Sequence, residues 1–393
     1  MLRPDQKQGL MNCLGIKTVN VIELAQKLIQ FDTITPKGSE CLDFIQDYLS
    51  NLGFEVTRLP FSDVDNLFAR KGLNSPHLMY VGHVDVVPTG SGWKYPPFAG
   101  IVDDGFLYGR GTVDMKGSIA AFLAALTKVE INGSISVLLT SDEEGPAKNG
   151  VIKVIPWLQE TNNVPTYALV GEPTAVTEVG DTIKNGRRGS ISFDISVYGK
   201  QGHVAYPQLA DNAATPLIEL LYELKTTLDD GTPDFQPSNL EVVKLSMPNK
   251  VYNVISGEAY AAINIRFNTL HSFESLTERV QLAMQKVHEK YQSICFLITP
   301  LPSAEPFISS SADWALMVSQ AVSSVTGILP NCSTSGGTSD ARFIQKICPV
   351  VELGLCNKTA HHVDEHANVA DIEILQKIYE NLIQNNLTAF LRT

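Results

Sequence analysis

Residues 77–88, His-Leu-Met-Tyr-Val-Gly-His-Val-Asp-Val-Val-Pro, form the stretch from which the fold can be inferred. Its apolar run predicts a strand over residues 77–87 that is buried inside a sheet. A histidine at the carboxyl end of such a strand lies where open α/β sheets build their ligand sites. His83 is therefore a candidate site residue, although a hydrogen-bonded core histidine fits the same pattern. Asp85 could hold the other ring nitrogen of His83.

Helices and strands alternate around this stretch. Helical spacing of apolar residues occurs in residues 19–31, 39–52, 115–129 and 152–160, and short apolar runs occur in residues 134–140 and 167–170. Such alternation predicts an α/β fold with a mostly parallel central sheet that is covered on both faces.

The pattern changes near residue 185. Residues 189–198 alternate apolar and polar side chains, which predicts a half-exposed strand. The order strand–helix–strand–strand–helix–strand follows, with predicted helices at 213–228 and 275–291 and predicted strands at 241–245 and 260–267. The α/β pattern resumes with a helix at 313–326, a strand at 350–354 and a helix at 371–385. We therefore predict a discontinuous catalytic domain of residues 1–186 and 304–393, interrupted by an α+β domain of residues 187–303.

Bulk composition narrows the function classes. A chain of 393 residues favours two domains, and its net charge of −12 argues against nucleic acid as a partner. No apolar run is long enough for a membrane span, and residues 1–17 do not resemble a signal peptide. The six cysteines include no Cys-x-x-Cys pair, which argues against a disulfide framework or a thiolate zinc site. We expect a cytoplasmic enzyme.

Acidic and imidazole groups recur near predicted strand ends. Asp114 precedes a predicted helix, where it is either an N-cap or a bridging metal ligand. Glu143 and Glu144 follow the strand at 134–140. They form either a solvated acidic turn or part of a metal site in which one glutamate binds the metal and the other activates water. Glu172 follows the strand at 167–170, and His361 follows the strand at 350–354. Parallel strands bring such ends to one edge, and a His and carboxylate set without thiolates suits catalytic zinc.

The motif segments resemble the co-catalytic zinc aminoacylase and carboxypeptidase superfamily, and within it the succinyl-diaminopimelate desuccinylases. The segments that carry the resemblance are residues 82–88, 109–117, 141–145, 171–173, 202–207, 335–343 and 361–365. The resemblance implies a zinc-peptidase-like catalytic domain and a ferredoxin-like dimerisation or lid domain. It also implies hydrolysis of N-succinyl-L,L-2,6-diaminopimelate to succinate and L,L-diaminopimelate, by a hydroxide bridging two zinc ions.

The same resemblance assigns roles to single residues. Two Zn²⁺ ions per subunit, for which Co²⁺ could substitute, would share Asp114 as a bridge. The remaining ligands would be His83 and Glu172 at one ion and Glu144 and His361 at the other. Glu143 would be the general base, Asp85 would orient His83, and the Asp114–Met115 peptide bond would be cis. His362, next to His361, fits the spacing less well.

The resemblance also implies a homodimer formed through the inserted domain, in which His203 reaches the partner's active site as an oxyanion donor. A surface-loop histidine is the simpler alternative for His203. For a small N-acyl amino acid that carries several carboxylates, the expected binding residues are Arg187, Arg188, Asn253, Arg266, Gly337, Thr338 and Ser339. Any one of these arginines could instead be a hinge salt bridge or a surface charge. Ser256 replaces a proline common in the family, and residues 1–17 extend beyond its usual start.

Three other functions fit parts of the pattern. The nearest is a related deacylase, such as an acetylornithine deacetylase or an aminoacylase, or a dipeptidase of the same superfamily. A metal-dependent binding protein without turnover is a second alternative, but it would not need Glu143 beside Glu144. A phosphate-binding enzyme is the weakest, because Gly109-Arg110-Gly111 lacks the Walker spacing.

Overall fold

The computed structural model describes residues 19–131 and 133–389. The chain divides into two compact units. Unit 1 consists of the chain up to Asn185, Ser309–Ser333 and the chain from Ser339 onward, and unit 2 consists of Gly186–Ile308 and Thr334–Thr338.

The described strands and helices are numbered in chain order. The strands are β1 Glu55–Arg58, β2 Asn66–Lys71, β3 His77–His83, β4 Ile101–Asp103, β5 Phe106–Tyr108, β6 Ser134–Thr140, β7 Tyr167–Val170, β8 Thr182–Lys184, β9 Gly186–Arg187, β10 Gly189–Tyr198, β11 Gly202–His203, β12 Asn239–Ser246, β13 Val254–Ile255, β14 Glu258–Phe267, β15 Cys295–Ala304, β16 Phe307–Ile308, β17 Asn331–Ser333, β18 Val350–Glu352 and β19 His366–Asn368. The α-helices are α1 Val21–Ile29, α2 Ser39–Asn51, α3 Gly117–Ala125, α4 Val151–Glu160, α5 Ala214–Leu224, α6 Phe273–His288, α7 Ala312–Thr326, α8 Ala341–Ile344 and α9 Val369–Ala389.

The central sheet of unit 1 has eight strands in the order β1-β2-β6-β3-β7-β18-β8-β17. Strands β6, β3, β7 and β18 are mutually parallel, as are β8 and β17. Strand β2 is antiparallel to β6. Every residue of β3 and β6 is buried, as expected for strands covered on both faces. The prediction of an α/β fold with a mostly parallel sheet is confirmed.

Helix α3 is the central helix of unit 1. All nine of its residues are buried, and it packs against α1 and α9. A Cβ at Gly117 would lie 2.3 Å from the backbone oxygen of Thr112, so only glycine allows the chain to enter the helix here. Gly117 therefore lets the helix begin directly after the turn that carries Asp114.

Unit 2 contains a four-stranded antiparallel sheet in the order β12-β14-β10-β15. Buried residues alternate with partly exposed ones along β14, so one face of this sheet packs on a core. Helices α5 and α6 contribute Leu217, Leu220, Leu276 and Val280 to that core. This strand order and helix placement give the ferredoxin-like arrangement expected for the inserted domain.

Unit 2 differs from the predicted inserted domain of residues 187–303 at three places, the first being its start at Gly186. Residues up to Ile308 belong to unit 2 because β16 pairs with β9, where Phe307 lies opposite Arg187. Residues 334–338 also belong to unit 2. The Thr334 hydroxyl donates to the backbone oxygen of Asp234 at 2.7 Å, which holds this short segment.

The start of the central helix also differs from the prediction. The predicted helix at 115–129 begins at Gly117 and follows an irregular turn over Thr112–Lys116. Asp114 has φ −125° and ψ 94°, so it lies outside helical geometry and does not cap α3. The N-cap interpretation of Asp114 is therefore wrong. The Asp114–Met115 peptide bond is cis, as predicted.

No described helix has an apolar stretch that would cross a bilayer. The described cysteines, Cys41, Cys295, Cys332, Cys348 and Cys356, are all free thiols. The expectation for residues 1–17 lies outside the described residues.

Candidate metal centre

The chain order of unit 1 brings several predicted ligands to one edge of the central sheet. His83 ends β3, Glu143 and Glu144 follow β6, and Glu172 follows β7. Because these three strands are parallel, their carboxyl ends lie side by side. Three overlapping groups have ligand atoms within 4.8 Å of one another: His83, Asp114 and Glu172; His83, Glu143 and Glu144; and Asp114, Glu144 and His361.

His83 is held in a defined orientation. Its Nδ1 lies 2.9 Å from the backbone oxygen of Asp85, which can only accept, so Nδ1 carries the ring proton. The other nitrogen, Nε2, lies 3.2 Å from Oδ1 of Asp114 and 3.6 Å from Oε1 of Glu172. Burial lowers the pKa of His83, but hydrogen bonds with Asp114 and Glu172 outweigh it and raise this pKa well above its ordinary value. A metal ion at Nε2 would displace the second proton and leave the ring neutral, with its remaining proton on Nδ1. This is the tautomer that a metal-ligating histidine requires.

Asp114 lies between two histidines. Its Oδ1 faces Nε2 of His83 at 3.2 Å, and its Oδ2 faces Nε2 of His361 at 3.2 Å. Burial opposes ionisation of Asp114, but hydrogen bonds with His361 and His83 hold its pKa well below the ordinary value. One carboxylate thus presents its two oxygens to two separate sets of groups.

The second set contains Glu144 and His361, with Nε2 of His361 2.7 Å from Oε1 of Glu144. Hydrogen bonds with Asp114 and Glu144 raise the pKa of His361 to about 10. Its backbone φ is 64°, a left-handed conformation uncommon for a residue with a side chain. Such a conformation persists where surrounding contacts fix it, which is a frequent property of functional sites.

Two glutamates at this edge have raised pKa values. Burial, followed by the charge of Asp114, raises the pKa of Glu172 to about 7. Burial, followed by the charge of Glu172, raises the pKa of Glu143 well above its ordinary value. Carboxylates crowded in this way repel one another unless a positive charge lies among them.

The donor set fits a pair of divalent metal ions. Four carboxylates and two imidazoles converge, and when deprotonated each of their ligand atoms accepts rather than donates a hydrogen bond. A cation at their centre satisfies several acceptors at once. Imidazole and carboxylate ligands without thiolates suit catalytic zinc, and two such sites sharing Asp114 suit a two-metal centre.

The carboxylate of Asp85 has a different contact from the one expected. Its Oδ1 lies 3.7 Å from Nδ1 of His83, beyond hydrogen-bonding distance. Its two oxygens instead accept the backbone N–H groups of Glu143 and Glu144, at 3.3 and 3.0 Å. The backbone carbonyl of Asp85, rather than its carboxylate, orients His83.

Two residues of the site were missed in the sequence analysis. Arg110 and Glu365 form a buried ion pair of 2.9 Å, with side chains 2% and 0% exposed. Glu365 accepts the backbone N–H of Asp114 at 3.1 Å. Both residues lie inside motif segments of the sequence, and that position was the one indication that they belong to the site. Charged residues usually lie on the surface, so nothing in the sequence predicted a buried pair.

The predicted substrate arginines lie in unit 2. Nε of Arg188 and Nη1 of Arg266 are buried and have no hydrogen-bond partner among the described residues. Burial, then the charge of Arg188, lowers the pKa of Arg266, so the two guanidinium groups repel each other. Such a pair attracts a carboxylate. Arg187 is 7% exposed and donates to the backbone oxygen of Gly337 at 3.1 Å, which anchors the 334–338 segment.

Other predicted residues are exposed in unit 2. His203 lies on β11, and its Nδ1 accepts the backbone N–H of Ala205 at 3.0 Å. The neutral ring therefore carries its proton on Nε2, as an oxyanion donor must. Asn253 and Gly337 are exposed, and Thr338 is partly exposed.

Ser339 and His362 have other contacts in unit 1. Ser339 is fully buried, and its hydroxyl donates to the carboxylate of Glu352. This buried hydroxyl is already engaged and does not face solvent. His362 belongs to none of the candidate metal groups found among the described residues, and its backbone oxygen accepts from Arg110 at 3.0 Å.

Comparison of the sequence with known protein families identifies the family of this chain. The model of peptidase family M20/M25/M40 matches residues 79–385, a range that includes every residue of the candidate centre. The chain belongs to peptidase family M20/M25/M40.

M20 relatives match almost the whole chain. It is 47% identical over 377 residues to a succinyl-diaminopimelate desuccinylase from Ehrlichia canis, covering 93% of this chain and 98% of that protein. It is 45% identical over 373 residues to a succinyl-diaminopimelate desuccinylase from Zymomonas mobilis, with coverage of 93% and 98%. The fold is similar to that of a dinuclear metal-binding M20 peptidase from Bacillus subtilis, with TM-score 0.70, 15% identity and coverage of 92% and 96%.

Proposed function

We propose that this M20 protein hydrolyses N-succinyl-L,L-2,6-diaminopimelate to succinate and L,L-diaminopimelate with two zinc ions. The observation that carries the proposal is the position of Asp114, whose two oxygens each lie 3.2 Å from Nε2 of a different histidine. The identity to desuccinylases over almost the whole chain supports the choice of substrate.

The proposed ligands divide into two sets. His83, Asp114 and Glu172 would hold one zinc ion, and Asp114, Glu144 and His361 would hold the other. When bound, two such metal ions polarise the amide carbonyl and offset the negative charge that develops on its oxygen. Cobalt accepts the same nitrogen and oxygen ligands, so Co²⁺ should substitute for Zn²⁺.

Glu143 is the proposed general base. A carboxylate oxygen of Glu143 lies within 4.8 Å of ligand atoms of His83 and Glu144, but Glu143 is absent from both proposed ligand sets. It is therefore near the reacting atoms and free to exchange a proton. Glu143 takes a proton from the attacking water and passes it to the amine as the amide C–N bond breaks.

Arg188 and Arg266 are the proposed anchors for substrate carboxylates. Each has a buried N–H group without a partner among the described residues, and a carboxylate oxygen would supply the missing acceptor. Asn253, Gly337 and Thr338 complete the groups proposed to contact the substrate, and Arg187 and Ser339 complete the site around them. Of these, Arg187 and Ser339 already have protein partners, so we assign them the task of shaping the loop rather than gripping substrate.

We infer a homodimer through unit 2, in which His203 donates from Nε2 to the substrate carbonyl oxygen in the partner's site. Exposure of His203 and the protonation of its Nε2 support this role. The free thiols of the described cysteines suit a reducing compartment, which supports a cytoplasmic location.

The direct test is metal analysis followed by assays on a short substrate panel. Metal-free protein is reloaded with Zn²⁺ or Co²⁺ and assayed with succinyl-diaminopimelate, acetylornithine and a dipeptide. We expect two metal ions per chain and kcat/KM highest for succinyl-diaminopimelate. Higher kcat/KM for acetylornithine or the dipeptide would instead identify a related deacylase or a dipeptidase, and absence of turnover with all three would refute the enzyme proposal.

A further inference from the structure

Arg110 and Glu365 form a buried ion pair in unit 1, although neither belongs to the proposed ligand or proton-transfer residues. Their side chains are 2% and 0% exposed, and Nη1 of Arg110 lies 2.9 Å from Oε2 of Glu365. Removing two charges from water is costly unless further hydrogen bonds satisfy both groups. The contacts of this pair therefore indicate what it does.

Glu365 fixes the turn that carries Asp114. Besides Arg110, its carboxylate accepts three backbone N–H groups: Gly111 at 3.0 Å, Val113 at 2.8 Å and Asp114 at 3.1 Å. Its own backbone oxygen accepts the N–H of Gly109 at 2.9 Å. Glu365 thus holds the non-helical backbone from which Asp114 projects.

Arg110 fixes the chain on either side of the other ligands. Its guanidinium donates to four backbone oxygens: Pro88 at 3.3 Å, Thr89 at 3.2 Å, His361 at 3.4 Å and His362 at 3.0 Å. The ring of Trp93 lies 5.2 Å from its central carbon, a cation–π contact. A single guanidinium therefore joins the chain after His83 to the segment that carries His361.

We propose that Arg110 and Glu365 are positioning residues that set the separation of Asp114 from His361, and through it the geometry of the two-metal centre. Glu365 holds the backbone N–H of Asp114, and Arg110 holds the backbone oxygen of His361. The two residues are tied directly to each other. The left-handed backbone of His361 is one that surrounding contacts must enforce, and Arg110 supplies one of them. This inference rests on the proposed metal centre.

If the ion pair had only a structural role, its removal would lower the stability of the protein without a specific effect on metal binding. The test therefore compares Arg110→Lys and Glu365→Gln with Leu49→Ala, a substitution at a fully buried core position of helix α2. Lysine keeps the charge of Arg110 but cannot reach several carbonyls in fixed directions. Each full-length variant is prepared metal-free, its thermal unfolding is recorded, and Zn²⁺ affinity is measured by competition with a chelator. The visible absorption of the Co²⁺-loaded protein reports the ligand geometry.

We expect both site variants to bind Zn²⁺ about 10- to 100-fold more weakly than the wild type and to show altered Co²⁺ spectra. Leu49→Ala should unfold at lower temperature but keep wild-type affinity and spectrum. If Arg110→Lys and Glu365→Gln fold and keep wild-type affinity and spectrum, the pair is structural and the inference is refuted. If the wild type itself binds no Zn²⁺, the proposed metal centre fails instead.

Discussion

The carboxylate of Asp85 accepts the backbone N–H of Glu144 at 3.0 Å, and through its other oxygen that of Glu143 at 3.3 Å. One fully buried side chain thus fixes the main chain of the proposed base and of a proposed ligand. The Asp85 carboxylate was expected to orient His83, but the backbone carbonyl of Asp85 has that role instead.

Asp85→Asn should therefore disturb the two glutamates. The amide keeps one acceptor but places an N–H group against a backbone N–H, so one hydrogen bond is lost. We expect kcat to fall about 10- to 100-fold, with weaker Zn²⁺ binding. Glu40→Gln, at an exposed position, is the control. Wild-type kcat and zinc content in Asp85→Asn would contradict this role.

Glu143→Gln should separate metal binding from turnover. It removes the proposed proton acceptor but leaves both ligand sets intact. We expect kcat to fall at least about 100-fold while two metal ions stay bound. Metal content and kcat are measured beside Glu160→Gln, an exposed position in α4. Unchanged turnover would remove Glu143 from the mechanism.

Arg188→Ala and Arg266→Ala should each weaken substrate binding. A charge-assisted hydrogen bond contributes about 1.5–3 kcal/mol, so KM should rise roughly 10- to 150-fold with a smaller change in kcat. Arg279→Ala provides a matched control, because Arg279 lies in α6 of the same unit and contacts the Thr226 hydroxyl. If neither KM changes, these arginines do not bind substrate.

His203→Ala and Glu143→Ala should complement each other if His203 acts across a dimer. The His203→Ala homodimer would be nearly inactive because loss of one oxyanion donor raises the barrier by about 3 kcal/mol. The Glu143→Ala homodimer would be nearly inactive because it lacks the general base. A mixed dimer retains one site with both groups, so mixing the variants should restore part of the activity. Failure to regain activity in verified mixed dimers would rule out the shared site.

Stability should depend on pH through His77, a buried residue of β3 whose Nε2 lies 2.7 Å from the Ser136 hydroxyl. Burial, then the charge of Arg70, lowers its pKa from 6.5 to about 4. The unfolded chain therefore takes up a proton at higher pH than the native protein does. This contribution is fully present above pH 6.5 and is lost as the pH falls towards 4.

For His77, we expect the free energy of unfolding to fall by about 1–2 kcal/mol between pH 7 and pH 5. His77→Gln lacks the titrating group, so its fall over the same range should be smaller by that amount. Urea unfolding at both pH values measures the difference. Identical pH dependence in the two proteins would show that His77 keeps its ordinary pKa.

Buried apolar runs made much of the fold predictable. Strands β6, β7 and β10 have the predicted bounds because continuous or alternating apolar residues mark a strand wherever it lies in a sheet. Strands β1 and β2 were missed, because Glu55–Arg58 and Asn66–Lys71 mix charged and apolar residues without a clear period. They are held by pairing across the sheet, which single-sequence patterns do not encode.

Site residues at the ends of strands could be predicted from the sequence. Site residues whose positions depend on contacts with distant parts of the chain could not. His83 ends one buried strand and Glu172 follows the neighbouring one, so sheet topology alone brings them together. The pairing of Arg110 with Glu365 joins positions 255 residues apart. The turn at Asp114 could not be derived from local patterns, because Glu365 fixes it from that distance.

The chain passes between the two units four times, because residues 334–338 return to unit 2 after β17. Unit 2 therefore cannot be cut out as one continuous fragment without losing a piece of itself. A protein ending at Ile308 would leave Arg187 without Gly337 and Asp234 without Thr334. An exchange of this unit between homologues must transplant both segments together.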